Sequence, residues 1–216
     1  MQKSLYSLIL MDDVVREIDS LARMQNTNRS NLINQILADY VSLTTPEKRI
    51  NNIFNCINGL LEDNIFNSYI EPHERTMSLK SSLNYRYRPT IKYEVELYRS
   101  SSETIGELKI IFRTQSAELL IKLSDFFDLW TRMEHIYLKD YFGADGIQYS
   151  FDNGKITRSL HLPHGKEYSN DEIAKAISDY IRLFDDIIKG YLTGEYTSVT
   201  QMENRYLSYL NNSIIL

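Results

Sequence analysis

The side chains of this 216-residue chain with the greatest chemical reach are four histidines, a single cysteine and a run of interleaved arginines and tyrosines. His161 and His164 stand three residues apart, and His73 lies between Glu71 and Glu74, residue types that ligate divalent metals. Pro163 breaks any helix that would bring His161 and His164 onto one face, and no metal-ligand motif is reproduced. The expectation is surface histidines, no metal and no cofactor. Cys56 has no partner for an intrachain disulfide or a cysteine-based zinc cluster, and it shares an apolar helical stripe with Ile53 and Ile57. It reads as a small core hydrophobe.

Asn84-Tyr85-Arg86-Tyr87-Arg88, followed by Lys92 and Tyr93, interleaves cations with aromatics as single-stranded nucleic-acid surfaces do. On a strand, however, Arg86 and Arg88 share one face and Tyr85 and Tyr87 the other, which describes a solvated side and a core side. No glycine-flanked serine and no phosphate loop is visible, so nothing assembles a nucleophile, a base and an orienting group, and the chain does not read as an enzyme. The 16 tyrosines suit a small-molecule pocket or the rim of a core equally well.

The elements that would position these groups follow from periodicity. The composition, 43% hydrophobic and 25% charged with a net charge of -5, is that of a globular protein. No apolar run approaches the roughly 20 residues of a membrane helix, and the start has no signal-peptide cleavage region, so a cytoplasmic protein is expected. Thr45-Pro46 opens a helix over 46–62 and divides the chain into domains 1–44 and 45–216. In the second domain, alternation predicts strands over 83–98 and 105–113, then a helix over 116–141. A hairpin over 148–162 turns on Asp152-Asn153-Gly154, and two helices follow over 170–191 and 198–212. That order predicts an α+β domain with an antiparallel sheet covered by helices.

The first 43 residues carry a more specific pattern. Tyr6-Ser7-Leu8-Ile9-Leu10 alternates as a strand, with Tyr6, Leu8 and Leu10 on one face and Leu5, Ser7 and Ile9 on the other. A helix opened by Asp12 or Asp13 carries Val14, Ile18, Leu21 and Ala22 at steps of three and four. After the turn-forming Asn26-Thr27-Asn28, Asn28 is placed to cap a second helix bearing Leu32, Ile33, Ile36, Leu37, Tyr40 and Val41. About 40 residues is the size at which a chain struggles to stabilise a core alone, so this unit calls for a second copy of itself.

Strand, helix and helix in this order and phase resemble the ribbon-helix-helix (Arc/MetJ/CopG-type) DNA-binding family, over about a fifth of the chain. The resemblance implies an intertwined homodimer whose paired strands enter the major groove of double-stranded DNA. It places Leu5, Ser7 and Ile9 towards the bases, and Lys3, Asn28, Arg29 and Ser30 at phosphates, with the N-terminus of the second helix aiding the latter. Tyr6, Leu8, Leu10, Ile33 and Leu37 would form the dimer core. A transcriptional or plasmid-type repressor is implied, with residues 45–216 serving oligomerisation, a small-molecule effector or a protein partner.

Two features of the residues themselves favour an alternative, in which the unit only dimerises an adaptor or antitoxin. Two of the three outward strand positions are apolar, whereas base edges are read by hydrogen bonds. Over residues 1–49 the basic Lys3, Arg16, Arg23, Arg29, Lys48 and Arg49 are matched by Asp12, Asp13, Glu17, Asp19, Asp39 and Glu47, without the basic excess of a typical DNA-binding domain.

Overall fold

A computed structural model of the chain describes residues 4–61, 65–70, 75–83, 89–99, 104–142, 146–152 and 154–216, with the main chain alone at 68–70. The chain divides into two compact units, Met1–Arg49 and Ile50–Leu216. The first contains helices α1 (Asp12–Met24) and α2 (Arg29–Tyr40), and α3 (Pro46–Leu61) crosses the division. The second continues with β1 (Asn67–Ile70), β2 (Thr76–Ser82), β3 (Thr90–Leu97), β4 (Thr104–Arg113), α4 (Ala117–Phe142), β5 (Tyr149–Asp152), β6 (Lys155–His161), α5 (Asn170–Thr193) and α6 (Val199–Asn212).

The second unit is α+β, with one six-stranded antiparallel sheet in the order β1-β2-β3-β4-β6-β5. Its register puts Met77, Val95 and Leu108 in one row and Leu79, Tyr93, Ile110 and Ile156 in the next, all buried. The opposite face carries Lys92, Glu94, Glu96, Glu107 and Lys109 at the intervening positions, as period-2 alternation demands. There Lys92 pairs with Glu94 at 2.8 Å and Lys109 with Glu96 at 2.9 Å. Gly106, where β4 shifts register against β6, lies so close to β3 that a Cβ would sit 2.1 Å from the Glu96 carbonyl oxygen. No other residue fits that approach.

α5 is the axle of the unit. Ser169 and Glu172 start it with reciprocal side-chain-to-backbone bonds, and Gly194 ends it in the left-handed conformation at φ 78°. The sequence predicts one apolar stripe, but Ala174, Ala176, Ser178, Leu183, Asp185, Ile187 and Gly190 are buried as well, so the helix is enclosed on nearly every side. Tyr93 of β3 donates to Asp185 at 2.9 Å, Lys189 bonds Ser81 of β2 at 2.6 Å, and the Cys56 thiol of α3 donates to Asp171 at 3.1 Å. Phe126 and Trp130 of α4 close on Phe184 with ring centroids 5.7 and 5.1 Å apart. Each such aromatic or aliphatic side chain, taken fully out of water, contributes about 1.5–3 kcal/mol.

One buried polar cluster interrupts this core. Arg158 occupies an inward position of β6 between Ile156 and Leu160, and Glu134 an inward position of α4; both are almost wholly buried. Arg158 Nε donates to Glu134 at 3.0 Å, its Nη1 to the Ser159 carbonyl at 3.2 Å and its Nη2 to the Leu216 carbonyl, while its guanidinium lies 4.3 Å from the centre of the Tyr180 ring. Tyr149 and Tyr206 donate their hydroxyls to the two Glu134 oxygens. Burial opposes charge on Arg158, but the Glu134 carboxylate beside it holds the guanidinium charged and raises it well above its ordinary value. Every described element from α4 to the last residues therefore meets at one ion pair.

Breaking such a pair leaves an uncompensated buried charge. Arg158→Met or Glu134→Leu alone is expected to cost about 3–5 kcal/mol in urea denaturation, and the double variant to recover much of that loss.

Candidate nucleic-acid interface

The first unit is built from two helices and a tight turn. α1 begins after Met11, which makes no side-chain cap; Asp12 and Asp13, expected as caps, instead occupy the first helical turn, where carboxylates favour the helix dipole. Its end is closed by Asn26 at φ 51°, a left-handed conformation that asparagine tolerates, with the Thr27 amide donating to the Ala22 carbonyl at 2.9 Å. Asn28 then caps α2, its side-chain oxygen accepting from the Asn31 amide at 2.9 Å. Thr45 performs the same service for α3, accepting from the Lys48 amide at 3.2 Å.

Only Ala22 of α1 and Leu32 and Ala38 of α2 are buried. Ile33 is half-buried, whereas Ile36, Leu37, Tyr40 and Val41 are exposed, Leu37 by 52% and Tyr40 by 88%. Most of the stripe predicted as core is therefore left uncovered.

The strand expected over residues 5–10 is not present in the single chain: residues 4–11 form no regular element, and the first element is a helix. A strand exists by bonding a neighbour, and no other described strand belongs to this unit. Tyr6, Leu8 and Leu10, expected as core, are exposed, as are Leu5, Ser7 and Ile9. All of the expected inward residues are therefore solvated, Tyr6 by 83%. Leu5 and Ile9 are fully solvated, while Leu8 falls to 60% and Leu10 to 38%.

The cationic side of the site is more restrained than the sequence suggests. Arg29, the first residue of α2, gives Nε and Nη2 to the two carboxylate oxygens of Asp19 in α1, at 2.7 and 2.5 Å. The hydrogen bond from Arg29 holds the Asp19 carboxyl below its usual range, and Asp19 in turn raises Arg29. Arg16 pairs with Asp13, and Lys48 with Asp39 at 2.6 Å. Asn28 and Ser30 are exposed beside Arg29, and the Arg29 and Ser30 amides start the helix ahead of its first internal bond, from Leu32 to the Asn28 carbonyl. Lys3 lies outside the described residues.

In the second unit the chemically suggestive residues do not converge. Among the described residues no three His, Cys, Asp or Glu side chains are placed to share a metal ion. His161 instead bonds Ser159 at 3.0 Å and lies against the Phe142 ring, and His73 falls outside the described residues together with Asn84 to Arg88. Tyr93 is core. A shallow depression of about 510 Å³ is lined by Tyr196, Gln201, Asn204 and Arg205, but Gln201 is engaged in the α6 cap and Arg205 pairs with Asp186 at 2.8 Å. None of the described helices is long and apolar enough to cross a membrane.

No protein-family model, curated protein or solved structure matches this chain. The residues that sequence reasoning missed are Asp19, Glu134 and Arg158. Arg158 had a legible signal, a charge at an inward position of an alternating strand; Asp19 had none, because only the turn brings it to Arg29.

Asn28→Ala removes the acceptor for the Asn31 amide. It is expected to lower stability by about 1 kcal/mol, read from the thermal midpoint of α-helical circular dichroism.

Proposed function

We propose that this chain is a homodimeric regulator that binds double-stranded DNA in the cytoplasm, through a ribbon formed by residues 5–10 of two copies. The supporting observation is the uncovered apolar surface of the first unit: Leu5, Tyr6, Leu8, Ile9, Leu10 and Met11 together with Ile36, Leu37, Tyr40 and Val41. Contiguous exposed apolar surface marks association sites in soluble proteins. The sequence of residues 5–10 alternates as a strand with Tyr6, Leu8 and Leu10 on one face, so a second copy contributing the same segment covers both its backbone bonds and that face. Ile33 and Leu37 then meet their counterparts across the two-fold axis.

With the strands paired, Leu5, Ser7 and Ile9 form the outward row. Leucine and isoleucine meet thymine methyl groups and Ser7 a base edge, a weakly discriminating readout. Asn28, Arg29 and Ser30 at the α2 N-terminus hold phosphate through amides and one guanidinium. Repression follows from occlusion of a promoter, with half-sites related by the dimer axis. The second unit, with its own closed core, serves oligomerisation, an effector or a protein partner.

The pairing of Arg29 with Asp19 and the apolar outward row favour a second reading, in which the unit dimerises an adaptor or antitoxin and binds no nucleic acid. Two measurements separate the readings. Under the first, duplex DNA is bound with an affinity that falls as salt rises, and Arg29→Ala weakens binding to all sequences alike; under the second, no duplex is bound at low salt. In both, Leu8→Asp is expected to convert a particle of twice the chain mass into a monomer in light scattering.

A further inference from the structure

We propose that Asp19 is an intramolecular competitor for the phosphate backbone and sets the DNA affinity of the N-terminal unit by holding Arg29; this rests on the DNA-binding reading above. The pair is bidentate, with Arg29 Nε and Nη2 on the two Asp19 oxygens at 2.7 and 2.5 Å. That edge of the guanidinium is the fork that matches a phosphate's paired oxygens. Arg29 cannot present the same two donors to both acceptors, so DNA gains this contact only by displacing the carboxylate.

The position of Asp19 argues for this role over a structural one. It sits within α1, neither capping the helix nor lining the core. Its partner lies ten residues away across the turn, at the first position of the helix whose N-terminus faces phosphate in the proposed complex. Arg23 adds to the concentration of charge, donating Nε to the Asp19 main-chain carbonyl at 3.2 Å. The Asp19 carboxylate thus occupies the donor edge of Arg29 that an incoming anion would take.

An exposed ion pair is weak, so the brake is modest: about two- to fivefold in affinity for each half of the dimer. It acts on all sequences equally, because phosphate contacts carry no sequence information. With its base-facing row largely apolar, such a protein gains selectivity when non-specific binding is held down.

The test is fluorescence anisotropy of a labelled random-sequence duplex with the full-length protein, in four forms: unchanged, Asp19→Ala, Arg29→Ala and the double variant, across a salt series. Asp19→Ala is expected to tighten binding and to steepen the dependence of log affinity on log salt by about one for each Arg29 released. In the Arg29→Ala background the same substitution is expected to lose most of its effect. Equal tightening in both backgrounds, or none in either, overturns the competitor role and leaves DNA binding standing. No binding by any of the four forms at low salt overturns the DNA reading and the competitor role with it. Unchanged helical circular dichroism and particle mass across the four forms show that the fold is intact.

Discussion

A unit the size of Met1–Arg49 has too little interior to cover the apolar side chains it carries. Two helices of 13 and 12 residues bury only Ala22, Leu32 and Ala38 and leave Ile36, Leu37, Tyr40 and the preceding segment exposed. A third layer has to come from outside the two helices. The apolar side chains of residues 5–10 are placed in sequence to supply it, but only if their own backbone amides find a strand partner. In the proposed dimer both needs, a partner for the backbone and a cover for the side chains, would be met at once by a second copy of the same unit.

The second unit shows the opposite regime. With more than three times as many residues, it encloses one helix, α5, on nearly every side and still accommodates a buried ion pair, Glu134–Arg158. A buried charge pair of this kind contributes little net stability against an apolar replacement, yet it penalises any arrangement that separates its members. Because α4, β5, β6, α6 and Leu216 all bond to it, it specifies how those elements meet. The cluster has the residue types of a catalytic site and the closure of a structural one. Its donors and acceptors are spent on one another.

The described helices are legible in the amino-acid sequence through apolar spacing and capping residues, α3 also through Pro46; β3 and β4 are legible through alternation, and β5 and β6 through Asn153-Gly154. β1 and β2 are not: Thr76-Met77-Ser78-Leu79-Lys80-Ser81-Ser82 has serines where β-branched residues would announce a strand, and Ser78 and Ser81 are both buried, which blurs its period. Residues 5–10 fail in the other direction. Their alternation is clear, but a strand is a property of a pair, and no described strand of the first unit lies beside them. The burial of α5 on nearly all sides is faint in its sequence because alanine, serine and glycine carry little hydropathy signal while permitting close approach. Among the site residues, the cap of Asn28 is readable from residue type. The engagement of Arg29 by Asp19 is not, since it depends on the angle the Asn26 turn imposes.

Pairing of residues 5–10 between two copies of the 216-residue chain can be read by amide hydrogen exchange. If the strands pair, exchange is slowed at alternate amides from Leu5 to Leu10 at high protein concentration, and the protection is lost on dilution as the dimer dissociates. Exchange at the rate of an unstructured peptide at every concentration, beside protected α1 and α2 amides, would contradict it.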